Sequence, residues 1–270
     1  MKNLFFYKLE EAVRTNNSRL CIGLDPRVDD IPAPFCNEDD PIFAFNKAII
    51  DATSPFACAF KPNFAFYEAA GIEGITSLKK TIDYISPEIP IIADAKRSDI
   101  GSTAEAYAQS IFDYFHCDAV TVSPYLGEDS LAPYLNFKDK GIFVLCLTSN
   151  PGSMDFQIPN DLHIQVAQKV MRWNTAGNCG LVVGATKPEY LKIVRDIAPD
   201  IPFLIPGIGA QGGDLEKVLE FAPQGDGTGY IINVSRGITQ PSGEGDFITR
   251  VTEAAARYHK LIHIAKENMA

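Results

Sequence analysis

Eight times along this 270-residue chain a short apolar run gives way to a longer amphipathic one, and no other feature narrows the fold as much. The apolar runs span 20–24, 57–61, 89–93, 119–123, 142–147, 180–183, 203–205 and 230–234. They are rich in Ile, Val, Leu and Phe and do not alternate with polar residues, as strands buried on both faces read. Helical runs fall between them, at 42–52, 67–85, 103–115, 130–135, 162–174, 188–197, 215–221 and 247–267. Asp214 and Asp246 stand where N-caps would, and Ser102 lies three residues before Glu105, the spacing of a capping box. Eight βα units of roughly 30 residues predict one α/β domain over 1–270, a (β/α)8 TIM barrel. The doubly wound sheet shares this alternation and is the alternative.

Composition is consistent with one sizeable core, at 46% hydrophobic and 21% charged residues. Lys and Arg number 24 against 34 Asp and Glu, a formal charge of −10. That balance argues against nucleic acid or an anionic membrane surface as the main partner, while leaving room for a local basic pocket. No stretch reaches the ~18 uninterrupted apolar residues of a membrane helix. The first ten residues carry Lys2, Lys8 and Glu10 around a short aromatic run and lack a signal-peptide core. The six cysteines form no CxxC pair, and several sit inside apolar runs. Buried, reduced thiols in a cytoplasmic protein are therefore expected, with no zinc site. His259 and His263 stand four apart on the last helix with no third ligand nearby.

The Gly/Pro-rich stretches 26–41, 149–161 and 206–214 follow expected strands. In a barrel such loops build the active site at the C-terminal face. Asp94 and Lys96 are two apart at the end of the third strand, so regular pleating puts both side chains on one face. Asp99 follows within a turn, and Lys61 closes the second strand. Four charges of alternating sign would meet at one mouth, as a reactive array or as a salt-bridge network closing the barrel end. After strands seven and eight come the stretch from Pro206 to Gly212 and the triplet Ser235-Arg236-Gly237. Glycines let backbone N–H groups approach an anion, Arg236 adds a planar fork, and barrels often hold phosphate at these two loops. Gly207-x-Gly209-x-x-Gly212 also matches a dinucleotide fingerprint, but it lies too late in the chain and no acidic residue cleanly ends the next strand. Asp25, ending strand one, could accept from a sugar hydroxyl or simply form an Asp-Pro turn. The run from Thr148 to Gly152 could read a base edge, or serve as turn chemistry.

These residues together resemble the orotidine 5′-phosphate decarboxylase family. Asp94-x-Lys96-x-x-Asp99-Ile100 looks like its signature, and the string from Asp94 to Ala104 is similar to the longer-chain bacterial branch. Ser98 stands where that branch would have glycine. Leu24-Asp25-Pro26, Phe60-Lys61-Pro62-Asn63, the run from Thr148 to Gly152 and both phosphate-type loops extend the resemblance over nearly the whole chain. It implies a barrel acting as a homodimer with a shared active site and without metal or organic cofactor. The implied reaction converts orotidine 5′-monophosphate to uridine 5′-monophosphate, the last step of de novo pyrimidine synthesis. Lys96 would donate the proton to C6, with Asp94 near the departing carboxylate and Lys61 and Asp99 completing the array. Asp99, Ile100 and Thr103 would reach into the neighbouring subunit. Asp25 and Lys61 would contact the ribose, and Ser149 the pyrimidine. Pro206, Gly207, Gly209, Gln211 and Arg236 would surround the phosphate. Magnesium-dependent sugar-phosphate lyases of the same superfamily share Asp-x-Lys-x-x-Asp, but tend to carry an acidic metal ligand where this chain has Lys61. A non-catalytic phosphate-binding barrel would keep Arg236 without needing Lys96.

Overall fold

The computed structural model describes residues 3–209, 212–225 and 228–267, with side chains as far as 263. Among them are eight strands: β1 (Leu20–Leu24), β2 (Ala59–Pro62), β3 (Ile92–Arg97), β4 (Ala119–Val122), β5 (Gly141–Leu147), β6 (Cys179–Val183), β7 (Phe203–Pro206) and β8 (Tyr230–Val234). They run in the order β2-β1-β8-β7-β6-β5-β4-β3, and the paired neighbours are parallel. The two outer strands of that order meet through parallel bridges, Phe60 with Ile91 and Asn63 with Asp94. The sheet thus returns to its own start in sequential order, as a barrel does, whereas a doubly wound sheet reverses order at a switch point.

The helices are α1 (Leu4–Asn16), α2 (Pro41–Thr53), α3 (Phe64–Ala69), α4 (Gly71–Tyr84), α5 (Gly101–Gln109), α6 (Glu128–Leu135), α7 (Ser153–Phe156), α8 (Leu162–Trp173), α9 (Pro188–Ile197), α10 (Leu215–Phe221), α11 (Arg236–Thr239) and α12 (Phe247–Glu267). The single helix expected over 67–85 is two helices. Gly71 adopts φ +68°, a left-handed residue that ends one helix and begins the next. Ser102 does not cap α5. That helix starts at Gly101, two residues earlier than expected, after Ile100, which makes no side-chain cap bond. The Asp214 and Asp246 caps form, each carboxylate accepting from the backbone N–H three residues on.

The strands hold two apolar clusters apart. One lies between strands and outer helices; the other fills the barrel and is closed below by Phe5, Phe6 and Leu9 of α1. That helix was not expected from the N-terminal aromatic run, because its apolar face packs on a barrel end formed by distant strands. Gly141 has no side chain because the Phe5 ring occupies the space a Cβ would need, and Phe5 also meets Phe143 edge-on. Above this plug the inward-facing rows turn polar as they rise two residues at a time. Ala59 gives way to Lys61 and Asn63, Ile92 to Asp94, Ala119 to Thr121, and Ile231 to Asn233 and Ser235. The first of each row packs in the plug and the later ones line a cavity. Phe5→Ala should therefore cost roughly 3–5 kcal/mol of unfolding free energy, read from the urea midpoint, with the cavity end unaltered.

Candidate active site

Asp94 sits in the barrel wall with both carboxylate oxygens engaged. Lys61 Nζ donates to its Oδ2 at 2.5 Å, and Lys96 Nζ donates to its Oδ1 at 2.5 Å. The Lys61 and Asp94 side chains are 5% and 10% exposed, while Lys96 is 50% exposed and reaches the open cavity. Burial alone would push the Asp94 carboxyl up. The two ammonium groups outweigh it and hold the carboxyl far below the usual carboxylate range. Burial works the other way on Lys61, and Asp94 with Asp25 overcomes it, so its ammonium is held charged.

Lys96 does not reach this position by regular pleating. Between Ala93 and Arg97 the β3–β4 register slips, and Lys96 adopts φ +45°. A non-glycine residue there costs about 1–3 kcal/mol and persists only where its surroundings enforce it. Thr121 supplies that enforcement: its hydroxyl accepts from the Lys96 N–H at 3.0 Å and donates to Asp94 Oδ1 at 3.1 Å. The expected alternation is thus broken by a bulge, although the two side chains still meet.

The cavity has a volume of about 520 Å³, suited to a small ligand. Asp25 lies on its wall, its Oδ1 buried without a hydrogen-bond partner. Burial raises the Asp25 carboxyl, against the pull of Lys61 and the Ser235 hydroxyl. Gly23 lets Ser235 come this close, since a Cβ on Gly23 would stand 1.8 Å from Ser235 Oγ. Ser149 lines another part of the wall, and Pro206, Gly207 and Arg236 line a third. Gly207 takes φ +106°, which a side chain would resist.

Four of the expected residues stand apart from this cavity. Asp99 accepts from the Ile100 N–H at 2.8 Å, and Ile100 and Thr103 are exposed beside it; none of them lines the wall of their own barrel. Gly209 does not line it either, because its α-carbon faces the Tyr258 hydroxyl. Gln211 lies outside the described residues. Thr121 and Asn233, not expected from the sequence, also line the wall, one pleat above plug residues Ala119 and Ile231. Counting inward from the plug in steps of two would have found both. Among the described residues, no group of three or more His, Cys, Asp or Glu is placed to hold a metal ion.

A family model described as "Orotidine 5'-phosphate decarboxylase / HUMPS family" matches residues 18–245. The chain belongs to this family. An orotidine 5′-phosphate decarboxylase of Dehalococcoides mccartyi is 48% identical over 267 residues, 96% of this chain and 97% of the relative. One of Cellvibrio japonicus is 45% identical over 272 residues, covering 97% and 99%. The solved Leishmania donovani OMP decarboxylase superposes with a TM-score of 0.86 at 40% identity, over 97% of this chain and 98% of that one. Within an orotidine 5′-phosphate decarboxylase fold, the cavity with its Lys-Asp-Lys wall stands at the C-terminal ends of the strands, where barrel enzymes carry their chemistry.

Asp25 provides a test of the electrostatics that does not depend on turnover. Its folded-state value is raised above the ordinary ~3.9, so its contribution to stability is fullest below that pH and is lost as pH rises through the folded value. At neutral pH the ionised, buried carboxyl is a net cost. Asp25→Asn should raise the unfolding midpoint at neutral pH and lose that advantage on acidification. A variant less stable at neutral pH would contradict this.

Proposed function

We propose that this chain is an orotidine 5′-phosphate decarboxylase acting in pyrimidine biosynthesis through the wall of Lys61, Asp94 and Lys96. The observation that carries the reading is one carboxylate held ionised between two ammonium groups, one of them on the open cavity. The bond between C6 and the carboxylate carbon breaks, CO2 leaves, and its electron pair stays on C6. Lys96 presents a fixed positive charge to that carbanion and then transfers its Nζ proton to C6, regaining a proton from solvent. Asp94, unable to protonate beside two lysines, disfavours a second carboxylate next to it and keeps Lys96 aligned.

Asp25, with its unpartnered buried oxygen, accepts from a ribose hydroxyl, and Lys61 donates to one. Ser149 meets the pyrimidine. Pro206, Gly207 and Arg236 take the phosphate, with Gly209 and Gln211 in the same loop. The remote phosphate then supplies binding energy that orients the ring over Lys96.

Asp99, Ile100 and Thr103 stand off their own cavity and complete the site of a second subunit, so the working unit is a homodimer. Exposed Ile100, at 59%, is an apolar group that such an interface covers. Among the described residues no helix is long and apolar enough to cross a membrane, and all six cysteines are free, five of them buried. That thiol chemistry fits a reducing cytoplasm. The net charge of −10 fits a small-molecule substrate better than nucleic acid.

EDTA-treated protein should convert orotidine 5′-monophosphate to uridine 5′-monophosphate, followed by loss of the orotate absorbance. No turnover would sink the reading, and turnover that needs added magnesium would move it to the sugar-phosphate lyases. Lys96→Ala should lose at least about 10³-fold in kcat while still binding the product nucleotide. Mixed Lys96→Ala and Asp99→Ala subunits should regain activity through hybrid dimers. No recovery under demonstrated exchange would remove Asp99 from the neighbour's site.

A further inference from the structure

Chain leaving β5 runs over the cavity mouth, with Thr148, Ser149 and Asn150 on the wall. Directly behind it lies segment 184–187, at the end of β6, none of whose residues touches the cavity. Its fit to the β5 loop is close at three points. Gly184 backs onto Ser149, where a Cβ would stand 2.8 Å from Ser149 N and 2.9 Å from its Cα. Thr186 Oγ1 donates to the Ser149 carbonyl at 3.0 Å. Lys187 Nζ donates to Ser153 Oγ at 2.6 Å. Ser153 is fully buried and does not line this cavity, so the pair has no access to a substrate there and is not a serine–lysine nucleophile. Among the described residues, Lys187 has no ion pair; its ammonium is tied to a hydroxyl, which fixes position rather than neutralising charge.

The same segment also meets the opposite loop. The Ala185 N–H donates to the Pro206 carbonyl at 2.8 Å, and a Cβ on Gly213 would come 2.7 Å from Ala185 Cβ. One stretch of four residues therefore supports the loop with Ser149 on one side and the loop with Pro206 and Gly207 on the other.

We propose that segment 184–187 is a platform that sets the base-reading loop before ligand arrives, with Lys187 as a positioning residue for Ser149. This rests on the reading that the pyrimidine meets Ser149. With the loop untied, only a fraction of molecules hold Ser149 in place, and apparent affinity falls by that fraction. Chemistry at Lys96, on β3, is unaffected once the ligand is seated. The phosphate loop keeps its own tie through Ala185.

The test compares wild type with Lys187→Met, Lys187→Arg and Ser153→Ala. Lys187→Met should raise KM for orotidine 5′-monophosphate about tenfold with kcat almost unchanged. Inhibition by inorganic phosphate should not weaken, and Lys187→Arg should recover most of the loss. Ser153→Ala should give the same rise, and the double variant no more than either single, since both remove one tie. If Lys187→Met fails to fold, Ser153→Ala carries the comparison. Hydrogen exchange at 149–157 should quicken in both variants while 203–207 holds. An unchanged KM, an equal loss of phosphate inhibition, additive effects, or unchanged exchange would each overturn the proposal. Should the wild-type protein lack turnover, the functional reading fails, and the exchange comparison still decides the platform.

Discussion

Lys61, Asp94 and Lys96 form a chain of charges set into an otherwise apolar barrel, and much of the surrounding structure is arranged around it. Two cations and one anion are costly to bury unless their geometry is good and their hydrogen bonds are complete. Asp94 meets that requirement with three donors: Lys61, Lys96 and the Thr121 hydroxyl. Thr121 also holds the Lys96 N–H, and so keeps a left-handed residue near the C-terminal end of a strand. The apolar plug below, with α1 beneath it, keeps that end of the barrel filled, so the charges face only the mouth. Strain and buried charge thus collect at one place and are offset by packing elsewhere.

The barrel was legible because strands buried on both faces leave unbroken apolar runs, and amphipathic helices leave a different period. The charges were legible for a related reason: Asp94 and Lys96 interrupt such a run. Four features were not. Helix α1 owes its place to a barrel floor assembled from distant strands, which no local window contains. The break at Gly71 depends on one backbone angle, and glycine inside a helical pattern is ambiguous until that angle is known. The β3 bulge was hidden because regular pleating already brought Asp94 and Lys96 to one face. Thr121 and Asn233 look like ordinary strand residues, and only their height above the plug marks them.

Several strand ends and loops build the cavity wall together: the charged groups stand on β2 and β3, and further lining residues come from the ends of β7 and β8 and from the chain after β5. The proposed function gives the last two the phosphate and the base. The strands hold these groups rigidly, whereas the loops hold theirs through a few polar ties and close glycine contacts. Asp99 and Ile100 belong to the same signature as Lys96, yet a turn after Arg97 carries them off the cavity. A continuous motif is thereby split between the chain's own barrel and a surface available to a second one.

The charged wall stands or falls with the ionisation of Asp94. Carbon-13 NMR of the Asp94 carboxyl, titrated in the folded protein, reads it directly. The structure requires this carboxyl to stay ionised as pH falls through the ordinary ~3.9 and to protonate only well below it. Removing the Lys96 ammonium by Lys96→Ala should move the titration upward. A carboxyl that titrates at or above the ordinary value in the wild-type protein would mean that the two lysines do not hold it, and the charged wall would lose its basis.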